Sequence, residues 1–250
     1  MENRILRVEK AEWLNDDYFI LWIKDEQLAA TTQAGQFYEL RKYSSDPHRL
    51  RKPISVYNVE KNFIGFFIKK LGRGTTELAT MKKGDELDLV GPLGNGFPLV
   101  ESQKIALVSG GIGYPPLWYL RRKLAGKNDV YWLHGGNSKA DVFPCDEIWS
   151  MDGSIGNQGY VTQGLETLLK FGGFDLIYAC GPEPMLIQVA KVAAEYGVKL
   201  YVSMEAYMAC GIGVCHGCVV PTGTPEHIVY KTVCKEGAIF DATEICWSAL

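Results

Sequence analysis

Apolar positions in the first hundred residues come in short runs separated by turn signals. "DYFILWIKD" is rich in aromatic and β-branched residues, "RKPISVYNVEKN" and "FIGFFIKKLG" read as paired strands, and "KKGDELDLVGPLGNGF" carries a Gly-Asp turn ahead of another strand. Short strands at this spacing predict a small antiparallel barrel. The rhythm changes at Phe97-Pro98. "KIALVSGGIGYPPLWYLRRKL" is an apolar run, a glycine turn and an amphipathic helical stretch, and "NDVYWLHGG", "GSIGNQGYVTQGLETLLK" and "FDLIYACGPEPMLIQVAKVAAEYG" continue the alternation. Strands alternating with helices predict a doubly wound parallel sheet. The last fifty residues break the pattern again and are rich in cysteine and loop signals. The expected organisation is a β-barrel plus α/β fold, with a barrel over 1–98, an α/β domain over 99–202 and a separate cysteine segment over 203–250.

Composition adds constraints to this picture. A chain of 250 residues has room for two domains, or one large one with an appendage. Hydrophobic residues at 47% and charged residues at 22% are those of a soluble globular protein. With 26 basic against 29 acidic side chains and a net charge of -3, nothing points to a nucleic-acid partner. The first residues, "MENRILRVEKAEWLNDDYF", lack the apolar centre of a signal peptide, and no stretch approaches the roughly 18 uninterrupted apolar residues of a membrane span. A cytoplasmic protein without membrane contact is expected, in which seven cysteines are reduced thiols or metal ligands.

Four of those cysteines carry the most specific signal. Cys210, Cys215, Cys218 and Cys234 fall in the order C-x4-C-x2-C-x15-C, the plant-type [2Fe-2S] spacing, in which thiolates from one loop and a distant fourth converge on two irons. Gly211, Gly213 and Gly217 let the loop turn tightly and aim N–H groups at the sulfurs. The alternatives are a structural zinc site, which usually shows two C-x2-C pairs where this chain has one, and unliganded buried thiols. Cys145, Cys180 and Cys246 lie outside the spacing. His216 sits inside the loop as a neighbour and not a ligand.

Two glycine turns mark the α/β region. Gly110, Gly111 and Gly113 follow the run "IALV" and precede a helix, so backbone there can approach a pyrophosphate. The turn is not the full G-x-G-x-x-G fingerprint, and such turns join strand to helix in many sheets that bind nothing. Cys180, Gly181 and Pro182 form a second turn at a strand end, and both turns can line one crevice. In the barrel region "RKPISVY" and "LGRGTTEL" combine cations, hydroxyls and backbone groups suited to a flavin nucleotide, with Lys52, Ser55, Lys69 and Arg73 equally readable as solvated surface. The four histidines have no spacing of a catalytic pair, and no Ser-His-Asp set or carboxylate pair stands out, so no catalytic side chain is assigned.

Taken in order, "RKPISVY", "GRGTTEL", "GDELDLVGPLGNGF", "GGIGYPPL", "YACGPEPML" and "MACGIGVCHGCVV" resemble the electron-transfer subunits of class 1B dihydroorotate dehydrogenases, of the ferredoxin-reductase superfamily. The resemblance spans nearly the whole chain. It implies an FAD-binding barrel, a central nicotinamide-nucleotide domain and a C-terminal [2Fe-2S] segment. It also implies an NAD-linked oxidoreductase subunit that passes electrons from an FMN-containing catalytic subunit to NAD⁺ in pyrimidine biosynthesis, usually as a heterotetramer of two subunits of each kind. By the same resemblance the FAD contacts fall on Lys52, Pro53, Ile54 and Ser55, on Ile68, Lys69 and Lys70, and on Gly74, Thr75 and Thr76. The chain departs from the family's usual arginine at Lys52, its aromatic-Arg pair at Ile68-Lys69, and its "GGGIGVAPL" turn, where Tyr114 and Pro115 are expected to add bulk beside the nicotinamide crevice. No arginine stands near Asn137, which favours NAD over NADP. An NAD(P)H:ferredoxin or electron-bifurcating reductase subunit is the nearest alternative. Some such relatives carry aspartate in place of the first cluster cysteine, which here is Cys210. A redox sensor is the alternative from another class.

Overall fold

The computed structural model describes residues 2–44 and 50–250. They form two compact units. The first comprises Met1–Gly96, Glu205–Val219 and Thr232–Ala238, and the second Phe97–Met204, Val220–Lys231 and Ile239–Leu250.

In the first unit the strands β1 (Glu2–Trp13), β2 (Tyr18–Lys24), β3 (Phe37–Lys42), β4 (Lys52–Glu60), β5 (Phe63–Lys69) and β6 (Glu86–Leu93) close an antiparallel barrel in the order β1-β2-β5-β4-β3-β6. Helix α1 (Glu26–Thr31) follows β2 and α2 (Arg73–Leu78) follows β5. Aromatic and β-branched side chains fit the pleated, half-buried wall of a barrel, which is why "YFILWI" and "FIGFFI" become strands. The interior is filled by Tyr18, Leu21, Ile23, Tyr38, Leu40, Ile64, Phe66, Leu87 and Leu89, all fully buried. Tyr38 and Phe66 meet edge to face with centroids 5.4 Å apart. Thr32 donates its hydroxyl to the Leu28 carbonyl and accepts from the Tyr38 hydroxyl at 2.7 Å, so the buried phenol keeps a partner. A Cβ at Gly91 would stand 2.3 Å from the Tyr38 ring, so β6 needs glycine there.

The second unit holds β7 (Lys104–Gly110), β8 (Asp129–Gly136), β9 (Glu147–Ser150), β10 (Asn157–Gln158), β11 (Leu176–Cys180) and β12 (Lys199–Ser203), with helices α3 (Tyr114–Leu124), α4 (Val161–Phe171) and α5 (Glu183–Glu195). The strand order is β10-β9-β8-β7-β11-β12-β15, where β15 (Ile239–Asp241) adds antiparallel to β12 and every other neighbour is parallel. The apolar runs of β7 and β11 are buried along their length, as strands covered on both faces must be. From β7 the chain first builds outward through β8, β9 and β10, then crosses back to β11 on the other side. The β7–β11 junction is therefore the switch point of the sheet.

One element of the expected barrel was not singled out in the sequence, and one region differs from its expectation. The charged N-terminal stretch is the long strand β1, paired to β2 on one side and β6 on the other, because ladder bonds to two neighbours outweigh its polar pattern. The last fifty residues are less irregular than they read: β13 (Val219–Thr224) and β14 (His227–Thr232) form a hairpin, and β15 joins the parallel sheet. Among the described residues no helix is long and apolar enough to cross a membrane.

Leu21 is fully buried in the barrel and Leu71 is exposed. Leu21→Ala is expected to cost about 2–5 kcal/mol, and Leu71→Ala less than about 0.5 kcal/mol. Urea denaturation followed by tryptophan fluorescence measures both, and equal losses would refute this placement of the core.

Candidate functional site

The segment from Glu205 to Cys218 contains no helix or strand, so its shape is set by what it rests on. Within the first unit the barrel supplies that support. Gly94, directly after β6, donates its N–H to the Cys234 carbonyl at 3.2 Å, and Asn95 donates to the Gly237 carbonyl at 2.5 Å. Val233 donates to the Cys218 carbonyl at 2.7 Å, which ties the third cysteine to the segment bearing the fourth.

Gly211 and Gly213 take φ of 68° and 79°, a left-handed backbone that side chains resist, and this turns the loop's N–H groups inward. Ile212 and Cys215 each donate an N–H to the Cys210 sulfur at 3.4 Å, and Gly213 donates to the Cys234 sulfur at 3.1 Å. The Ile212 and then the Cys215 N–H hold the Cys210 thiol down to about 6, in the thiolate range at neutral pH. Burial, then the facing Cys218 thiol, pushes Cys234 up to about 12.

The Cys215 side chain neighbours Cys210, and Cys234 has Cys218 and then Cys210 as its thiol neighbours. Among the described residues no three His, Cys, Asp or Glu side chains surround one point as they would a single ion. Four thiols with inward N–H donors have the donor chemistry that a two-iron, four-thiolate centre needs. His216 lies at φ 54° on the exposed turn.

Beside the loop lies a residue that the sequence reading passed over. Glu39 on β3 is 2% exposed, and neither carboxylate oxygen has a hydrogen-bond partner. A Cβ at Gly211 would stand 2.9 Å from the Glu39 Cγ, so this side chain packs directly under the first turn of the cysteine loop. Burial pushes its carboxyl up to about 7, against the lowering effect of Arg51 and Lys52 and with a further rise from Cys210. Its only sequence signal is a charge inside the apolar strand "FYEL".

The predicted flavin residues lie on three neighbouring elements of the barrel unit. Lys52, Pro53, Ile54 and Ser55 open β4 as a half-buried strip, in contrast to the buried starts of β2 and β3. The Lys52 side chain runs over α2, where a Cβ at Gly74 would meet it at 2.4 Å. That close approach brings the first and third groups together and leaves a partly open, cation-edged strip that suits a flavin nucleotide. Thr75 accepts N–H bonds from Leu71 and Gly72 and so shapes the turn, while the Thr76 N–H bonds the Gly72 carbonyl. Ile68 is buried in the barrel, Lys69 lies 5.0 Å over the Tyr18 ring, and Lys70 donates to the Asp16 carbonyl. Arg51, adjacent to the strip, is held by Asp88 through two bonds of 3.1 and 2.9 Å.

In the second unit both glycine turns stand at the carboxyl ends of β7 and β11, at the switch point. They touch: a Cβ at Gly113 would lie 2.1 Å from the Cys180 carbonyl oxygen, and one at Gly181 3.0 Å from the Gly110 nitrogen. Gly111, at φ 50°, has open space on its side-chain face, which leaves backbone accessible to a ligand. Pro182 stands at the N-cap of α5, and Cys180 is buried at the end of β11.

Comparison with known proteins follows the same division. Residues 205–246 match the family model described as the iron-sulfur cluster binding domain of dihydroorotate dehydrogenase B. A dihydroorotate dehydrogenase B (NAD(+)), electron transfer subunit, from Shouchella clausii is 35% identical over 258 residues, covering 98% of both chains. A protein of the same name from Clostridium acetobutylicum is 36% identical over 239 residues, covering 93% of this chain and 92% of the relative. The chain belongs to the dihydroorotate dehydrogenase B electron transfer subunit family. Among solved structures, the NADH-dependent reduced ferredoxin-NADP oxidoreductase studied for flavin-based electron bifurcation superposes with a TM-score of 0.86 at 28% identity, covering 99% of this chain and 91% of that one. The ferredoxin reductase of carbazole 1,9a-dioxygenase shares the fold, with a TM-score of 0.67 at 22% identity over 79% of this chain and 66% of that one.

Against the pattern of the electron transfer subunit family, the bulk expected from Tyr114 at the glycine turn goes elsewhere. Its ring is 2% exposed, stacks on Trp132 at a centroid distance of 4.5 Å, and donates its hydroxyl to the Pro144 carbonyl. Pro115 is buried in the first turn of α3, where its missing N–H costs nothing. Below the turn, Ser109 accepts from the Trp132 indole at 2.8 Å and lies 2.8 Å from His134 Nδ1. Burial lowers His134 to about 4, so this imidazole is neutral at pH 7.

Two outcomes test this geometry. In the cluster-free chain at neutral pH, iodoacetamide is expected to label Cys210 well before Cys234, with Cys210 labelling slowing as pH falls through about 6; peptide mass spectrometry reads both, and equal rates would refute the assignment. Gly113→Ala is expected to destabilise the α/β unit by about 1–3 kcal/mol, since the Cys180 backbone has to move, whereas Gly111→Ala meets no atom and shows only the smaller strain of its positive φ. Chemical denaturation of the two variants decides.

Proposed function

We propose that this chain carries electrons from an FMN-containing dihydroorotate dehydrogenase catalytic subunit to NAD⁺ in pyrimidine biosynthesis, in a cytoplasmic assembly of two subunits of each kind. The observation that carries the reading is the anchoring of the thiols on the barrel unit, beside the β4 strip that suits a flavin. Family membership supports it, since the curated relatives are named as NAD(+)-linked electron transfer subunits.

Cys210, Cys215, Cys218 and Cys234 are the proposed cluster ligands, the strip from Lys52 to Ser55 with Ile68 to Lys70 and Gly74 to Thr76 holds FAD, and the turns Gly110–Gly113 and Cys180–Pro182 receive NAD. The proposed division of labour runs along the chain, with FAD on 1–98, NAD on 99–202 and the cluster on 203–250. Bound at these sites, an iron-sulfur centre exchanges single electrons, a nicotinamide exchanges a hydride, and a flavin does both. The protein's own residues supply position and field. Inward N–H groups of Ile212, Gly213 and Cys215 stabilise negative charge on sulfur, and the glycine turns let backbone approach a pyrophosphate. Because no proton has to be shuttled by a side chain, the absence of an acid-base pair from the sequence fits the role.

The likeness to the ferredoxin-NADP oxidoreductase favours a second reading, an NAD(P)H:ferredoxin or bifurcating reductase subunit. Relatives named for dihydroorotate dehydrogenase B match at higher identity, and cysteine occupies position 210. The test is anaerobic NADH titration of the purified chain, with flavin and cluster absorbance followed separately, and then assay with the FMN-bearing subunit. Bleaching of both chromophores and dihydroorotate:NAD⁺ activity only in the complex are expected. A colourless, zinc-containing protein would overturn the reading, and reduction of ferredoxin without dihydroorotate activity would replace it with the second.

A further inference from the structure

Glu39 is a carboxylate in a place that opposes it. It lies on a strand of a closed apolar barrel, 2% exposed, with both oxygens unbonded. Burying such a group without a partner is unfavourable, and a thiolate centre on the adjoining loop makes it more so. Its neighbours do not neutralise it by contact. Arg51 is engaged by Asp88, and Lys52 extends over Gly74. A leucine at this point of "FYEL" would pack more favourably, so the carboxylate calls for a use other than stability.

Its position indicates the use. Across the β3–β4 ladder Glu39 is the register partner of Pro53, in the strip that suits the flavin. On the other side it touches Gly211, between Cys210 and the N–H donors of the cysteine loop. Glu39 is thus the side chain that links the flavin strip to the cluster loop inside the barrel unit.

We propose that Glu39 is a potential-setting residue, whose carboxylate beneath Gly211 lowers the reduction potential of the iron-sulfur centre relative to that of the flavin. The half-reaction it acts on adds one electron, and so one negative charge, to the four-thiolate centre. A fixed negative charge in a poorly screened interior opposes that addition, and it acts most strongly on the nearer acceptor. The reductant is the electron supply of the proposed reaction, so the inference rests on the electron-transfer reading. It goes beyond that reading in assigning a positioned charge to set the driving force between the two sites.

The test is anaerobic spectroelectrochemical titration of the full chain at mildly alkaline pH, with the [2Fe-2S] signal followed by electron paramagnetic resonance and the flavin by absorbance. Glu39→Gln keeps the shape and removes the charge. It is expected to raise the cluster's midpoint by about a tenfold change in its one-electron equilibrium constant, which is about 59 mV, with a smaller shift for the flavin. Glu39→Asp keeps the charge and is expected to restore most of the low potential. A cluster potential unchanged in Glu39→Gln at full cluster content overturns the proposal. So does loss of the cluster from both variants, since packing and not charge would then be what Glu39 supplies. Absence of any [2Fe-2S] signal from the unaltered chain would instead sink the electron-transfer reading itself, so the two failures are distinguishable.

Discussion

The N–H groups that face the Cys210 and Cys234 sulfurs are the interaction on which the rest of the barrel unit depends. Negative charge on a sulfur is stabilised only where donors point at it and a rigid frame keeps them there. The donors here are the backbone N–H groups of Ile212, Gly213 and Cys215, turned inward by left-handed glycines. The frame is the barrel: the loop has no helix or strand of its own, Val233 bonds its Cys218 end, and the segment that carries Val233 and Cys234 is fastened to the end of β6 through Gly94 and Asn95. A closed barrel has no free edge, and its interior of Tyr38, Phe66 and packed aliphatic residues resists deformation. Core packing and cofactor geometry are therefore one problem in this unit.

In the α/β unit the same preference for backbone over side chain appears. At the switch point the two turns are so close that neither Gly113 nor Gly181 has room for a Cβ, and the group beneath them is a buried, neutral His134 bonded to Ser109. Tyr114 and Trp132 fill the space behind the turn and leave its front to main chain. Such a surface offers an anion N–H groups and shape in place of side-chain charge.

How much of this could be read from the sequence follows from how local each determinant is. The iron-sulfur segment was legible because such a centre constrains both residue type and interval, and the strands of the barrel because aromatic and β-branched runs advertise a pleated wall. The two sheet turns were legible as well, since glycine after an apolar run is a local signal. What stayed hidden depends on partners distant in the chain. Strand β1 has no apolar run of its own, and its place is set by the bonds to β2 and β6 on either side. The ring of Tyr114 reads as an obstruction until Trp132, on another strand, draws it into a stack. Glu39 reads as the solvent face of a strand until a loop from the other end of the chain closes over it.

The two buried carboxylates of the barrel show how that last arrangement arises. Asp88 on β6 collects the guanidinium of Arg41 at 2.7 Å and that of Arg51 at 2.9 Å, and is thereby compensated. Arg51 precedes the half-buried start of β4 and is committed to Asp88, while Lys52 opens that start with a cation of its own. Lysine is a point charge on a flexible stem, and here the stem is drawn over Gly74. Glu39, one register step away opposite Pro53, is left with attraction from both cations and a bond to neither. Across the ladder Lys52 pairs with Leu40 and not with Glu39, so its side chain falls on the other face of the sheet, runs toward α2, and leaves the acid on β3 uncompensated.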